Sequence, residues 1–173
     1  MKKTALIYWP KKGNVENAAN KIFEQFEGHP IDLFTITQVD VESLTGYDLI
    51  IVGGSTVGAD NWEDTHKTRW IEFFEKLGKI HLHGQKIAIY GLGDQILYPD
   101  HFVDGIVAIK HEFEKHHVDF IGKWPTAGYE FTDSKSVEDD HFWGLALDED
   151  QQPEMTEERI NKWVEQIKKE AGI

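Results

Sequence analysis

The chain has 173 residues, of which 40% are hydrophobic and 28% charged, values that fit one globular domain spanning residues 1–173. Its 31 acidic residues against 18 lysines and arginines give a net charge of −13, which argues against nucleic-acid binding, because that binding depends on neutralising phosphates. No run approaches the roughly 18 apolar residues of a membrane-spanning helix. The lack of cysteine excludes disulfides, thiolate metal sites and cysteine nucleophiles. We therefore expect a cytoplasmic protein without membrane insertion.

Five short apolar runs predict β-strands. A run of this kind, bounded by turn signals, is typical of a strand buried on both faces of a sheet. The predicted strands are residues 4–9, 31–36, 48–54, 86–90 and 118–122, and residues 143–147 predict a further strand piece. Between residues 124 and 142 turn signals replace regular periodicity, so we expect an insertion around the fifth strand.

Four helices are predicted between and after these strands, because apolar residues recur there at helical spacing. Their inward faces are Val15, Ala18, Ala19, Ile22 and Phe26; Trp70, Phe73, Phe74 and Leu77; Phe102, Ile106, Ile109 and Phe113; and Ile160, Trp163, Val164 and Ile167. The predicted starts are Asn14 as N-cap of the first helix, Thr65 or Thr68 in the second, Asp100 in the third and Thr156 as N-cap of the last. Strands that alternate with helices predict an α/β fold, a doubly wound five-stranded parallel sheet with helices on both faces.

Several common catalytic and binding motifs are missing. No Gly-Xaa-Gly-Xaa-Xaa-Gly follows the first strand, and there is no Gly-rich phosphate loop ending in Gly-Lys-Ser or Gly-Lys-Thr. His81 and His83 could chelate a metal across one strand face, but no acid cluster lies near them in the sequence. We interpret them as exposed loop residues and predict neither a metal site nor a catalytic residue.

The end of the fourth strand carries the most informative stretch. Residues 86–90 are a buried strand, and the strand breaks at Gly91-Leu92-Gly93 before Asp94-Gln95 and the aromatic Tyr98. In open α/β sheets, ligands bind outside the carboxyl ends of the strands. This stretch therefore predicts one wall of a crevice that holds a planar cofactor.

The chain resembles a flavodoxin of the long-chain class, and the resemblance runs essentially from end to end. Three segments carry it in the expected order: residues 91–98, residues 124–135 with the insertion that splits strand five, and residues 142–152 with 156–163 beyond them. The resemblance implies the sheet order 2-1-3-4-5 and a low-potential, one-electron carrier that uses non-covalently bound FMN. It also implies a monomer that docks transiently with flavodoxin reductase and redox acceptor proteins.

The resemblance also implies which residues bind the cofactor. Tyr98 stands at the position that stacks on the isoalloxazine ring, and backbone amides from Gly93 to Gln95 are expected at the pyrimidine edge. Gly58 could let a peptide turn towards the flavin, since glycine tolerates both signs of φ. The full expected set is Pro10, Lys11, Lys12, Gly13, Asn14, Val15, Ser55, Thr56, Val57, Gly58, Trp62, Leu92, Gly93, Asp94, Gln95, Tyr98 and Asp150.

The phosphate loop departs from the family pattern. Members typically carry Ser/Thr-Xaa-Thr-Gly-Xaa-Thr after strand one, whereas this chain has the segment 10–15, Pro-Lys-Lys-Gly-Asn-Val, without a hydroxyl. A lysine, together with backbone N–H groups at the helix start, could offset most of the loss. FMN binding is the favoured interpretation. The alternative is an abolished phosphate site, in a pocket that takes riboflavin, another anion or nothing.

The loop after strand three departs as well. The usual stacking tryptophan after Thr56 is replaced by Val57. Trp62 either covers the inner face of the ring or packs on the surface, and the sequence favours neither.

The acidic residues are unevenly distributed. Residues 133–158 hold ten acids and one lysine, a local net charge of −9 (one minus ten). This segment is either a solvated face that aids solubility or a docking surface for basic partners. A second hypothesis for the whole chain is a divergent flavodoxin-like binding or sensing protein with altered or lost recognition of the flavin phosphate.

Overall fold

The structure, a computed structural model, describes residues 1–55 and 64–173. Its strands are β1 (Thr4–Tyr8), β2 (Ile31–Thr35), β3 (Leu49–Gly54), β4 (His83–Leu92), β5 (His117–Ile121), β6 (Trp124–Pro125), β7 (Val137–Glu138), β8 (His141–Phe142) and β9 (Leu145–Leu147). Its helices are α1 (Asn14–Glu24), α2 (Asp64–Leu77), α3 (Asp104–Phe113) and α4 (Thr156–Ala171). Short 3₁₀ helices cover Val41–Gly46 and Pro153–Met155.

The main sheet is parallel and has the order β2-β1-β3-β4-β5. β9 also pairs with β4, from Tyr90↔Leu145 to Leu92↔Leu147, beyond the part of β4 that pairs with β5. The predicted fold class and the split fifth strand are confirmed. Residues 122–144, here called the insertion, contain the small antiparallel sheet β6-β8-β7.

Apolar side chains pack against both faces of the sheet, as its crossover connections require. Along β1, Ala5 and Ile7 face the cluster that includes residues of α2 and α3, while Leu6 and Tyr8 face the cluster that includes residues of α1 and α4. Alternate residues of a strand point to opposite faces, so one short apolar run serves both cores. In the described residues, no helix is long and apolar enough to cross a membrane.

The predicted helix starts are wrong in three places. α1 has Gly13 as its N-cap, so Asn14 is already helical. α4 follows directly on the 3₁₀ helix Pro153–Met155, so Thr156 lies inside the helical backbone, and its hydroxyl has no hydrogen-bond partner among the described residues. α3 begins at Asp104 and not at Asp100.

The start of α3 is set by the insertion. The Ser136 hydroxyl donates to the Val103 carbonyl (2.8 Å) and accepts from the Val107 N–H (3.0 Å). The Ser134 hydroxyl donates to the Phe102 carbonyl (2.5 Å). Ser136 thereby supplies an acceptor to an N–H at the helix start, where donors lack partners within the helix, and both serines lie about thirty residues further along the chain.

Candidate functional site

The carboxyl ends of β1, β3 and β4 lie side by side, as the register Tyr8↔Gly53↔Tyr90 shows. The Tyr90 ring lies so close to Gly53 that a Cβ there would be 1.9 Å from it. Tyr90 is fully buried, and its hydroxyl donates to the Val15 carbonyl at 3.0 Å. This bond fixes the start of α1 against the sheet edge, next to the loop that follows β4.

The loop after β4 is shaped by Asp94. One oxygen of its carboxylate accepts from the N–H groups of Ile96 (3.0 Å) and Leu97 (2.9 Å), and the Tyr98 N–H donates to the Asp94 carbonyl (3.0 Å). The Leu97 N–H bond, with further bonds from the Gln151 side chain and the Ile96 N–H, lowers the pKa of Asp94. Because the backbone turns here, Ile96, Leu97 and Tyr98 are 56%, 66% and 59% exposed.

Gln95, which the resemblance places among the cofactor-binding residues, is held by hydrogen bonds within the protein. It is buried, and both its N–H and its side-chain amide donate to Asp148 at 3.0 Å. The Gly93 N–H donates to the Leu147 carbonyl (2.9 Å). Of the three backbone amides expected at the pyrimidine edge, two are therefore bonded within the protein, and that of Asp94 donates to no group in the described part of the chain.

Asp148 is the centre of this buried network. It is fully buried, and its second oxygen accepts from the N–H groups of Asp150 (3.1 Å) and Gln151 (2.9 Å). With the two bonds from Gln95, the carboxylate accepts four hydrogen bonds. A buried carboxylate is tolerated only when it is satisfied in this way. Asp148 thus ties the loop after β4 to the loop after β9.

The insertion holds the other end of the same loop. The N–H groups of Thr132 and Asp133 donate to the Pro99 carbonyl at 2.8 and 2.9 Å, and the Glu130 N–H donates to the Gln95 side-chain oxygen. Behind these bonds the Phe102 ring lies among other rings at centroid distances of 5.5 to 5.8 Å. Those rings are Tyr129, Phe131 and Phe142. Tyr98 therefore projects from a loop braced by the insertion.

The start of α1 offers donors for an anion. The first helical bond runs from the Asn17 N–H to the Gly13 carbonyl, so the N–H groups of residues 14–16 have no acceptor within the helix. Lys11 and Lys12 are exposed just before them, and the Trp9–Pro10 peptide bond is cis. Amides and cations in this arrangement suit a phosphate or carboxylate.

Glu16 is the site residue that the sequence interpretation missed. Its carboxylate accepts from the Lys12 N–H (2.8 Å), which removes one of the loop's donors, and Lys12 has a φ of 61°. Burial is the largest cause that raises the pKa of Tyr8, and the charge and the hydrogen bond of Glu16 raise this pKa further. A carboxylate at this place repels a bound anion such as a phosphate. A Glu three residues after an N-cap is a known helix-start signal and could have indicated the contact.

The remaining expected residues divide into two groups. Leu92 ends β4 and is half-buried, Ser55 is half-buried, and Asp150 is exposed. Desolvation is the largest cause that raises the pKa of Asp150. The neighbouring charges of Asp94, Asp148 and Glu149 raise this pKa further. Thr56, Val57, Gly58 and Trp62 lie outside the described residues, so the second wall of the crevice stays a prediction.

Known proteins resemble this chain over nearly its whole length. The family model described as Flavodoxin matches residues 6–163. Flavodoxin 1 of Salmonella typhimurium is 38% identical over 171 residues, which cover 98% of this chain and 95% of that protein. A Synechocystis flavodoxin is 37% identical over 169 residues, 97% of both chains. The solved structure of Fusobacterium nucleatum flavodoxin bound to flavin mononucleotide superposes with a TM-score of 0.86 at 26% identity and covers 98% of this chain and 99% of that one.

Proposed function

This chain belongs to the flavodoxin family, and from that premise we propose that it is a low-potential, one-electron carrier that binds FMN non-covalently and is not an enzyme. One observation carries the proposal. An exposed aromatic ring, Tyr98, lies at the same sheet edge as the lysines and the N–H groups without an acceptor in the helix at the start of α1. The solved structure of the Fusobacterium nucleatum relative holds flavin mononucleotide, whose planar ring suits an aromatic wall and whose phosphate suits an anion site.

The donor set at this edge fits FMN. Tyr98 offers a face for a planar ring, and the Asp94 N–H is unbonded in the described part of the chain. The amides of residues 14–16 and the ammonium groups of Lys11 and Lys12 are the chemistry that a phosphate requires. Bound FMN would supply the ability to take up and give back single electrons.

The protein's part is to hold the ring and to set the potential. Stacking on Tyr98 favours a flat ring and excludes water from one face. Carboxylates such as Asp94 and Asp150 disfavour extra negative charge nearby. At ~10 Å and an effective dielectric of ~20, one carboxylate contributes on the order of 1.7 kcal/mol, which is about 70 mV for a one-electron step.

The partners that we propose are a flavodoxin reductase and redox acceptor proteins. The acidic segment 133–158 supports this proposal, because eight of its ten acids are exposed, while Glu149 is half-buried and Asp148 buried. Docking between redox proteins is usually small and transient, and complementary charge mainly accelerates the encounter.

Ligand identity tests the proposal directly. The purified protein should be yellow, and the flavin released by heating should be FMN. The apoprotein should bind FMN more tightly than riboflavin. Lys11→Ala with Lys12→Ala should weaken FMN binding by about 10- to 100-fold, as the loss of a charge-assisted bond predicts, and should leave riboflavin binding unchanged. Lys79→Ala, distant in the fold, is the control. A colourless protein that rejects added FMN would remove the carrier role.

A second candidate is favoured by Glu16. Its carboxylate at the start of α1, together with the missing hydroxyls, suits a divergent binding or sensing protein that no longer recognises the flavin phosphate. Equal affinity for riboflavin and FMN, unchanged by the lysine substitutions, would support this alternative over the carrier.

A further inference from the structure

Two histidines stand side by side at the end of the sheet opposite the crevice. His83 is the first residue of β4 and His117 the first of β5, and the two are register partners in the parallel ladder. Their ring centroids are 5.7 Å apart, with an angle of 67° between the ring planes, and both residues are exposed. Register partners project from the same face of a sheet, so strand pairing itself brings the two imidazoles together.

The ring nitrogens of both residues make no hydrogen bond or ion pair within the described ranges 1–55 and 64–173. Three other histidines differ in this respect. His116 accepts from the Leu82 N–H at 3.5 Å, His101 contacts the Asp104 carboxylate at 3.1 Å, and His141 contacts the Asp139 carbonyl at 3.0 Å. His83 and His117 thus combine adjacent rings with nitrogens free to bind a ligand.

The spacing of the rings suits a shared metal ion. Zinc binds an imidazole nitrogen at about 2.0–2.1 Å, so the metal lies about 3.2 Å from the centre of each ring. For ligand angles between about 90° and 160°, two such ring centres are roughly 4.5–6.3 Å apart. The observed 5.7 Å lies within this interval.

We propose that His83 and His117 form an open, two-imidazole site for a divalent transition metal, with water in the remaining positions. Imidazole is a preferred ligand of Cu²⁺, Ni²⁺ and Zn²⁺, and Cu²⁺ binds a given nitrogen site most tightly. Within the described residues, no group of three or more His, Asp or Glu side chains could hold a metal, so the site is open and exchangeable.

The site is separate from the crevice. β4 runs from His83 to Leu92, and nine steps of about 3.3 Å place its two ends about 30 Å apart. On β5, the carboxylate nearest to His117 along the chain is that of Asp119, which lies 4.0 Å from the Lys86 ammonium group. The metal site is therefore independent of the proposed cofactor.

Calorimetric titration of the full-length protein with Cu²⁺ alone, at fixed pH, tests the site. One ion per chain should bind, and His83→Gln and His117→Asn should each weaken its dissociation constant by tenfold or more. His29→Gln is the remote control and His81→Gln the near one, and both should bind as the unchanged protein does. Circular dichroism confirms that each variant is folded.

Electron paramagnetic resonance of Cu²⁺ on the unchanged protein gives a second readout, and two equatorial nitrogens are expected. Tight binding that survives His83→Gln and His117→Asn would overturn the proposal. So would binding that is lost in His81→Gln and kept in His117→Asn, because the ligands would then be His81 and His83.

Discussion

Asp148 holds two loops of the site together although its own side chain is buried. It is fully buried, and no cation pairs with it among the described residues. Its charge is stabilised by N–H donors from Gln95, Asp150 and Gln151. Bonds to a charged acceptor are about twice as strong as neutral ones. A single residue therefore sets the relative position of two loops that both border the expected cofactor.

Asp148→Asn should lower the free energy of unfolding by about 1.5–3 kcal/mol, because an amide keeps one acceptor oxygen and places its own NH₂ against N–H donors. Denaturant titration of the apoprotein measures the loss, and FMN should dissociate faster. Asp150→Asn is the matched control, since Asp150 is exposed and neighbouring acids raise its pKa. Equal effects of the two substitutions would contradict this role for Asp148.

The two acids on the rim should titrate on opposite sides of the ordinary pKa of 3.8. The N–H groups of residues 96–97 and the Gln151 side chain stabilise charged Asp94, so its pKa lies below 3.8. Desolvation and neighbouring acids place the pKa of Asp150 above that value. Carbon NMR of the two carboxyl groups measures both midpoints, and the reverse order would refute the prediction.

The same two shifts have opposite consequences for stability. A lowered carboxyl pKa stabilises the fold above the ordinary value, and this contribution is lost as pH falls through the lowered pKa. A raised pKa does the reverse, so protonation of Asp150 relieves repulsion as pH falls through its raised value. Asp94→Asn should therefore remove part of the acid sensitivity of unfolding, while Asp150→Asn should not.

At the scale of elements, the insertion makes the contacts that hold the loop after β4 in place. It contributes the N–H groups that bind the Pro99 carbonyl, the serine hydroxyls that start α3, and rings that enclose Phe102. A second element pair, β3 and β4, fixes α1. Tyr90 crosses beneath Gly53 to reach the Val15 carbonyl, and only glycine leaves room for its ring.

Gly53→Ala should destabilise the protein, because the added Cβ would lie 1.9 Å from the Tyr90 ring and force that ring to move. Overpacking of this kind costs about 1–3 kcal/mol, and the displaced Tyr90 would also release the start of α1 and weaken FMN binding. Thermal unfolding and FMN titration measure the two effects. Gly46→Ala is the control, since nothing lies within 4 Å of its Cβ position. Equal melting temperatures for both variants would contradict the packing argument.

At the scale of the whole molecule, the topology places the functional loops, while the charge affects association with partners. The parallel sheet collects the functional loops at one edge, while residues 133–158 contribute −9 of the net charge of −13. Long-range attraction to a basic partner is screened beyond about 10 Å at 0.1 M salt.

Electron transfer from a flavodoxin reductase should therefore slow as ionic strength rises, through a lower association rate and not a lower limiting rate. Stopped-flow kinetics at 0.05–0.5 M salt (about 14 down to 4 Å of screening length) separates the two rates. Glu154→Gln with Glu157→Gln, both exposed, should flatten the salt dependence. Glu24→Gln with Glu27→Gln, at the end of α1, is a charge-matched control. A flat response in the unchanged protein would argue against docking by charge.

The sequence by itself determined the α/β class, the strand and helix segments and the exposed loop that carries Tyr98. Hydrophobic periodicity and glycine breaks are local signals, so they can be read without knowledge of the fold. The family motifs are local signals too, because each is a short stretch of sequence. Their order along the chain carried the resemblance to the family, and the resemblance implied the strand order and the split fifth strand.

Only the tertiary structure decided which polar groups are free to bind a ligand. Gln95 is bonded to Asp148, 53 residues away, and α3 is started by Ser136, 29 residues beyond the N–H that it accepts from. His83 and His117 become neighbours only because β4 and β5 pair in register. Contacts between residues so far apart depend on the packing of the sheet, which no local pattern encodes, and for this reason the sequence alone did not show that Gln95 is bonded within the protein.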